Sequence, residues 1–134
     1  MIAYFASDLV WATRIKALAQ DLSIEARPVR TVDMLAARLA DSPVRGLIVD
    51  LEAPDTALAL LNHLRAHHTA ESPHKNPSVS RPVRTVAFGP HVETDALRQA
   101  RAAGAQVVLT RGAFHHQLPD ILHMLDAPSD SPAQ

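Results

Sequence analysis

Short, largely apolar runs recur along the chain and are separated by longer segments with helical periodicity. Two of them, IAYF at residues 2–5 and GLIVDL at 46–51, are apolar at successive positions, the second until Asp50, which is typical of strands buried in a parallel sheet. Pro28 places the run 24–30 at a sheet edge, where a missing backbone N–H is tolerated. The predicted strands therefore lie at residues 2–5, 24–30, 46–51, 86–88 and 106–110.

The segments between these runs predict five helices. In the first, Trp11, Ile15 and Leu18 recur at spacings of three or four residues and share one face, with Ser7 as the predicted cap. The others are predicted to begin at Thr31, at Pro54, at Thr94 or Asp95, and near residue 117, with Pro119 in the first turn of the last helix and Gly104 ending the fourth. Alternating strands and helices predict an α/β domain with helices on both faces of a parallel sheet.

Two segments fall outside this alternation. Residues 66–82 are polar and contain three prolines, so they are predicted to form a long loop, and residues 127–134 are predicted to be a disordered tail. The domain itself is expected to span residues 1–126. Its predicted core contains Phe5, Ile15, Leu18, Leu35, Leu47, Val49, Leu61, Val86, Leu97, Val108 and Leu122.

Composition narrows the classes of function. A formal net charge of −1 argues against binding a nucleic-acid backbone, and the absence of cysteine excludes disulfides and thiolate chemistry. No stretch is long and apolar enough for a membrane span or a signal peptide, so a cytoplasmic protein without a membrane partner is expected. The four glycines form no G-x-G-x-x-G or G-x-S-x-G motif, and no phosphate loop for a flavin follows Phe5, so enzymatic activity is not expected.

Two segments resemble the receiver domains of bacterial response regulators. They are GLIVDLEAP at residues 46–54 and ALRQARAAGAQVVLTRGAF at 96–114, and the similarity covers about residues 1–126. The resemblance implies a three-layer, flavodoxin-like (CheY-like) fold with five parallel strands in the order 2-1-3-4-5. It also implies a phospho-acceptor aspartate at the end of the third strand, which Asp50 matches.

The rest of the functional pattern that this resemblance implies is mostly replaced. Ala6 and Ser7 stand where an acidic pair would hold Mg²⁺, and Asp8 follows one position later. Gly89 stands in place of a serine or threonine that would contact the phosphoryl group. Arg111 replaces a lysine after the fifth strand.

These replacements favour a degenerate receiver. Mg²⁺ usually needs one or two carboxylates besides the substrate oxygens, and here Asp50 would be a single ligand unless Asp8 bends toward it. Arg111 is expected to pair with Asp50, because a guanidinium prefers a carboxylate partner, and Glu52 is expected to line the same site. The prediction is therefore no cofactor, with Mg²⁺ as a doubtful exception.

A second candidate site consists of histidines. His63 and His67 are four residues apart on the predicted third helix, and His74 follows in the loop, a spacing that can bind Zn²⁺ but usually reflects solvated polar residues. His115 or His116, expected in loops on the Asp50 side, is a candidate pH-sensitive hydrogen-bond partner.

Two functions remain open from the sequence. The first is a stand-alone protein-interaction module in signalling that is not phosphorylated and docks an unknown signalling protein as a monomer or weak homodimer. The alternative is a working phospho-acceptor of a two-component system that uses Asp50.

Overall fold

The computed structural model describes residues 1–70, 83–90 and 94–126. Ten elements alternate along them. The strands are β1 (Ile2–Phe5), β2 (Ala26–Pro28), β3 (Gly46–Asp50), β4 (Arg84–Gly89) and β5 (Val107–Thr110), and the helices are α1 (Leu9–Asp21), α2 (Val32–Asp41), α3 (Pro54–Ala70), α4 (Thr94–Ala102) and α5 (Arg111–Asp126). The predicted alternation of strands and helices is confirmed.

The five strands form one sheet in the order β2-β1-β3-β4-β5, and all four pairings are parallel. This is the flavodoxin-like order that the resemblance implied, and it is confirmed. Parallel strands end at one edge of a sheet, so the carboxyl ends of β1, β3, β4 and β5 meet there. In the register, Asp50 lies opposite Phe88, one residue before Gly89, and Gly89 lies opposite Thr110.

The core is divided by the sheet into two layers. Ile2, Tyr4, Trp11 and Phe114 belong to the layer between the sheet and helices α1 and α5, whereas Ala3 and Phe5 face the layer under α2, α3 and α4. Eight of the predicted core residues are buried, and Leu18, Leu97 and Val108 are half-buried at the margins. Successive residues of a strand point to opposite faces, so burial on both faces produces the continuous apolar runs.

Several boundaries differ from those predicted. Asp8, not Ser7, caps α1, because its carboxylate accepts hydrogen bonds from the backbone N–H groups of Val10 and Trp11. The edge strand β2 has only three residues. Residues 66–70 continue α3 rather than starting a loop, and the remaining residues of the predicted loop and tail lie outside the described part of the chain.

Helix α5 begins at Arg111, six residues earlier than predicted, so Pro119 lies in its interior rather than in its first turn. Both Pro119 and His115, whose carbonyl would otherwise accept the helical N–H that proline lacks, are exposed residues. At the other end, Leu125 packs against Gly46, and the side chain of Arg45 donates to the carbonyl of Asp126. These contacts hold the helix that carries Arg111 and His115.

Among the residues that the structure describes, no helix combines the length and the apolar character needed to cross a lipid bilayer.

Candidate functional site

Asp50 lies at the centre of the carboxyl edge of the sheet and is fully buried, with 0% of its surface exposed. It is the last residue of β3, the middle strand, and the loops after β1 and β3 close over it. A buried carboxylate is costly unless its oxygens receive hydrogen bonds. The surroundings of Asp50 therefore have to supply donors.

Three donors from the protein supply these hydrogen bonds. The backbone N–H of Ser7 donates to Oδ2 at 3.1 Å, and the Ser7 hydroxyl donates to the same oxygen at 2.9 Å. The backbone N–H of Glu52 donates to Oδ1 at 2.9 Å. Ser7 thus contributes two donors at the position where the resemblance implies a second acidic residue. The carboxylate is held by hydrogen bonds rather than by an ion pair.

Arg111 does not pair with Asp50, so that prediction is wrong. Its guanidinium contacts the carboxylate of Glu52 instead, through Nη2 and Oε1. The reason is access: Asp50 is buried beneath the loop, whereas half of the Glu52 side chain is exposed and lies nearer the surface. This ion pair joins the loop after β3 to the first residue of α5. The Nε of Arg111 is buried and has no hydrogen-bond partner.

Asp8 is committed to the N-terminus of α1. Its Oδ1 accepts from the N–H of Val10 at 2.7 Å and from that of Trp11 at 3.4 Å. A carboxylate at this position also interacts favourably with the helix dipole. Asp8 is therefore a capping residue here and does not join Asp50.

The donor set does not fit a magnesium ion well. Mg²⁺ requires near-octahedral oxygen ligation, and within the described residues no group of three acidic or histidine side chains is arranged to hold a metal. Asp50 has both oxygens engaged by protein donors, and Asp8 caps a helix. The residues present offer no second carboxylate beside Asp50 without a rearrangement of the first loop.

Gly89 lies at the end of β4 and is tightly packed. A Cβ placed on it would lie 3.0 Å from the Cβ of Leu51. Leu51 is 1% exposed, and its N–H donates to the carbonyl of Phe88 at 2.7 Å, so its backbone cannot easily move away. A serine or threonine side chain at this position would therefore require Leu51 to shift by a few tenths of an ångström.

An exposed apolar strip lies beside this site and was missed from the sequence. Leu9 and Val10, in the first turn of α1, are 77% and 60% exposed. With Thr13, Arg14 and Ala17 they line a shallow, mostly apolar groove. The sequence could have indicated this exposure, because both residues lie outside the stripe of Trp11, Ile15 and Ala19 that faces the core.

The histidines fall into separate groups. His63 and His67 are half-buried on α3, and His74 lies outside the described residues, so the zinc prediction stays untested. His115 and His116 lie in the first two turns of α5 rather than in a loop. His115 contacts Arg14 across α1 and α5, with 3.2 Å between Nη1 and Nδ1. Neither of these two rings contacts Asp50.

Comparison with known proteins gives the fold its context. No protein-family model and no curated protein sequence matches the chain, but many solved structures do. One is the co-crystal structure of the Saccharomyces cerevisiae histidine phosphotransfer signaling protein Ypd1 with the receiver domain of its downstream response regulator Ssk1, with a TM-score of 0.75 and 13% identity over 93% of this chain and 87% of that chain.

Bacterial structures show the same similarity. The receiver domain of NtrX from Brucella abortus matches with a TM-score of 0.70 and 17% identity over 93% of this chain and 97% of that chain. A signal receiver domain from Bermanella marisrubri matches with a TM-score of 0.68 and 18% identity over 92% and 95%. Identities this low establish the shared fold and not the shared chemistry. The chain has the fold of the response-regulator receiver, or CheY-like, domains.

Proposed function

We propose that this domain is a protein-docking module in signalling that does not accept a phosphoryl group on Asp50. The observation that carries the proposal is the sealed carboxylate: Asp50 is fully buried, and both of its oxygens accept hydrogen bonds from Ser7 and Glu52. A cytoplasmic location and the absence of a resident cofactor or enzymatic activity are parts of the same proposal.

The requirements of phosphoryl transfer explain why the burial and hydrogen bonding of Asp50 oppose its phosphorylation. The reaction depends on positioning an attacking oxygen in line and on cations that neutralise the charge of the phosphoryl group. Asp50 would have to give up its hydrogen bonds, and no acidic pair is present to bring Mg²⁺ beside it. Arg111, the nearby cation, is already paired with Glu52. Losing one such electrostatic contribution typically costs a factor of about 10² or more in rate, and here several are missing together.

The apolar strip on α1 supplies the docking surface of this proposal. Contiguous exposed apolar patches mark candidate contact sites, and Leu9 and Val10 directly follow Asp8 at the carboxyl edge of the sheet. A similar fold occurs in a structure that pairs a receiver domain with a histidine phosphotransfer protein. We therefore propose a protein of that class as the partner.

The first experiment tests phosphorylation. The purified domain is incubated with acetyl phosphate and Mg²⁺, and its intact mass is measured. We expect no stoichiometric phosphoryl adduct in the wild type and none in Asp50→Asn. A gain of one phosphoryl group that disappears in Asp50→Asn contradicts the proposal and favours the alternative, a working phospho-acceptor.

The second experiment tests docking. Binding to purified histidine phosphotransfer proteins from the same genome is measured by calorimetry for the wild type, Leu9→Glu, Val10→Glu and Met34→Glu. Met34 is the matched control, since it is an exposed apolar residue on α2 rather than α1. Each α1 variant is expected to weaken binding about tenfold or more if it removes an apolar anchor. Equal binding by all four proteins, or none by the wild type, contradicts this docking surface.

A further inference from the structure

A contact between Arg14 and His115 joins α1 to α5 beside the exposed strip. We propose that this contact is a pH-sensitive clasp: it links the exposed sides of the two helices when His115 is neutral and opens when the ring takes up a proton. Nη1 of Arg14 lies 3.2 Å from Nδ1 of His115. The two residues are far apart in sequence and belong to different helices, so the contact depends on the tertiary fold.

The chemistry of the two side chains makes the contact depend on one proton. A guanidinium has only N–H donors and keeps its charge throughout the ordinary pH range. The hydrogen bond therefore exists only when Nδ1 of His115 carries no proton and accepts. Protonation turns that nitrogen into a donor and adds a positive charge next to Arg14, so an attraction becomes a repulsion. Histidine is the side chain that changes charge between about pH 5 and 8.

The other charged groups near the clasp do not compensate for this change. His116 lies next to His115 on α5, with 6.0 Å between the ring centroids, and it can only add positive charge. Arg111, one turn earlier on α5, is paired with Glu52. Among the described residues, no carboxylate is within ion-pair distance of His115. Asp8, at the start of α1, is engaged with backbone N–H groups.

The clasp covers the edge of an aromatic cluster. The guanidinium of Arg14 lies 5.0 Å from the ring centroid of Trp11, a cation–π distance, and the ring of His115 meets Trp11 edge-on at 6.2 Å. Trp11 packs in turn on Phe88 and Phe114. Opening the clasp frees Arg14 and uncovers one edge of Trp11. Because Arg14 also lines the α1 groove, acidification would change the docking surface; this last step rests on the proposed function, and the opening itself does not.

The test uses the isolated domain, in which Trp11 is the sole tryptophan. Acrylamide quenching of its fluorescence is measured at about pH 8 and about pH 5.5, on either side of histidine titration. In the wild type we expect quenching to rise at the lower pH. The ratio of open to closed clasp should change by a factor of about two to twelve, as for the loss of one hydrogen bond.

Three variants isolate the clasp. His115→Gln keeps a neutral acceptor near Arg14 and should show little change between the two pH values, whereas His116→Gln should behave like the wild type. Arg14→Met should be readily quenched at both pH values, because its clasp is open throughout. Circular dichroism melts check that each variant is folded. A pH response that persists in His115→Gln, or a wild-type response in Arg14→Met, overturns the proposal. Neither outcome depends on phosphorylation or on a partner.

Discussion

At the scale of single residues, the place of a residue in the fold was predictable from the sequence, whereas its hydrogen-bond or ion-pair partner was not. The pattern GLIVDL places Asp50 at the end of a buried strand, and the structure confirms that place. Arg111 was expected to pair with Asp50, and it pairs with Glu52 instead. The choice between two carboxylates two residues apart depends on which one the loop after β3 buries. Sequence patterns do not encode that depth, because it results from the packing of neighbouring loops.

Gly89 gives a test at this scale. Gly89→Ser restores a hydroxyl at the strand end, but its Cβ would meet the Cβ of the buried residue Leu51 at 3.0 Å. We expect urea unfolding to show a loss of about 1–3 kcal/mol, as is usual when extra atoms enter a packed core. Gly112→Ser is the matched control, since nothing lies within 4 Å of its added Cβ, and it should change stability by no more than about 0.5 kcal/mol. Equal stability of the two variants would show that Leu51 can move to accommodate a side chain at position 89 at little cost.

Tyr4, the sole tyrosine of the chain, is expected to make the stability of the fold depend on pH in the alkaline range. Burial raises the pKa of Tyr4 above its ordinary value of 10.0, because the charged phenolate is poorly solvated. A group with a raised pKa in the folded state contributes stability that is fully present below the unfolded pKa and is lost as pH rises through the folded pKa. The free energy of unfolding of the wild type, measured in urea, should therefore fall above about pH 10, and that of Tyr4→Phe should fall less. Parallel curves for the two proteins would remove Tyr4 as a cause.

At the scale of elements, the type of each element was predictable and several ends were not. Apolar periodicity located all five strands and five helices, because burial on one or two faces produces it directly. The start of α5 was misplaced because Pro119 was assigned to a first turn, although an exposed proline is tolerated inside this helix. The end of α3 was placed too early because three of the five residues at 66–70 are polar, although polar residues extend a helix once its apolar face is buried.

The prediction at the scale of elements concerns the contribution of the N-terminal cap of α1 to stability. Asp8→Ala removes the acceptor for the N–H groups of Val10 and Trp11 and should cost about 0.5–2 kcal/mol in urea unfolding. Asp8→Asn keeps an acceptor oxygen and should cost less. Adding Mg²⁺ should leave the stability of all three proteins unchanged, because Asp8 serves the helix and not a metal. Stabilisation of the wild type by Mg²⁺ that Asp8→Ala abolishes would instead make Asp8 a ligand.

At the scale of the whole molecule, the topology was the most predictable feature and the chemistry the least. Alternating elements, right-handed crossovers and a central apolar strand leave few arrangements of five strands, and the resemblance selected the one that the structure has. Receiver chemistry, by contrast, depends on a handful of side chains at one sheet edge. Here Ser7 donates hydrogen bonds to Asp50 at a position where the resemblance implied an acidic residue. The fold is retained although these site residues differ.

The association state is the last prediction. A stable homodimer usually buries more than about 1,000 Å² with some large anchor residues, whereas the exposed large apolar side chains of the described residues are only Leu9, Val10 and Met34. Leu9 and Val10 form one small strip on α1, and Met34 lies apart on α2. We therefore expect sedimentation velocity to show a monomer at micromolar concentration, with at most weak dimerisation that Val10→Glu abolishes and Met34→Glu leaves unchanged. A tight dimer at nanomolar concentration would contradict this, because the described surface offers too little apolar area to hold one.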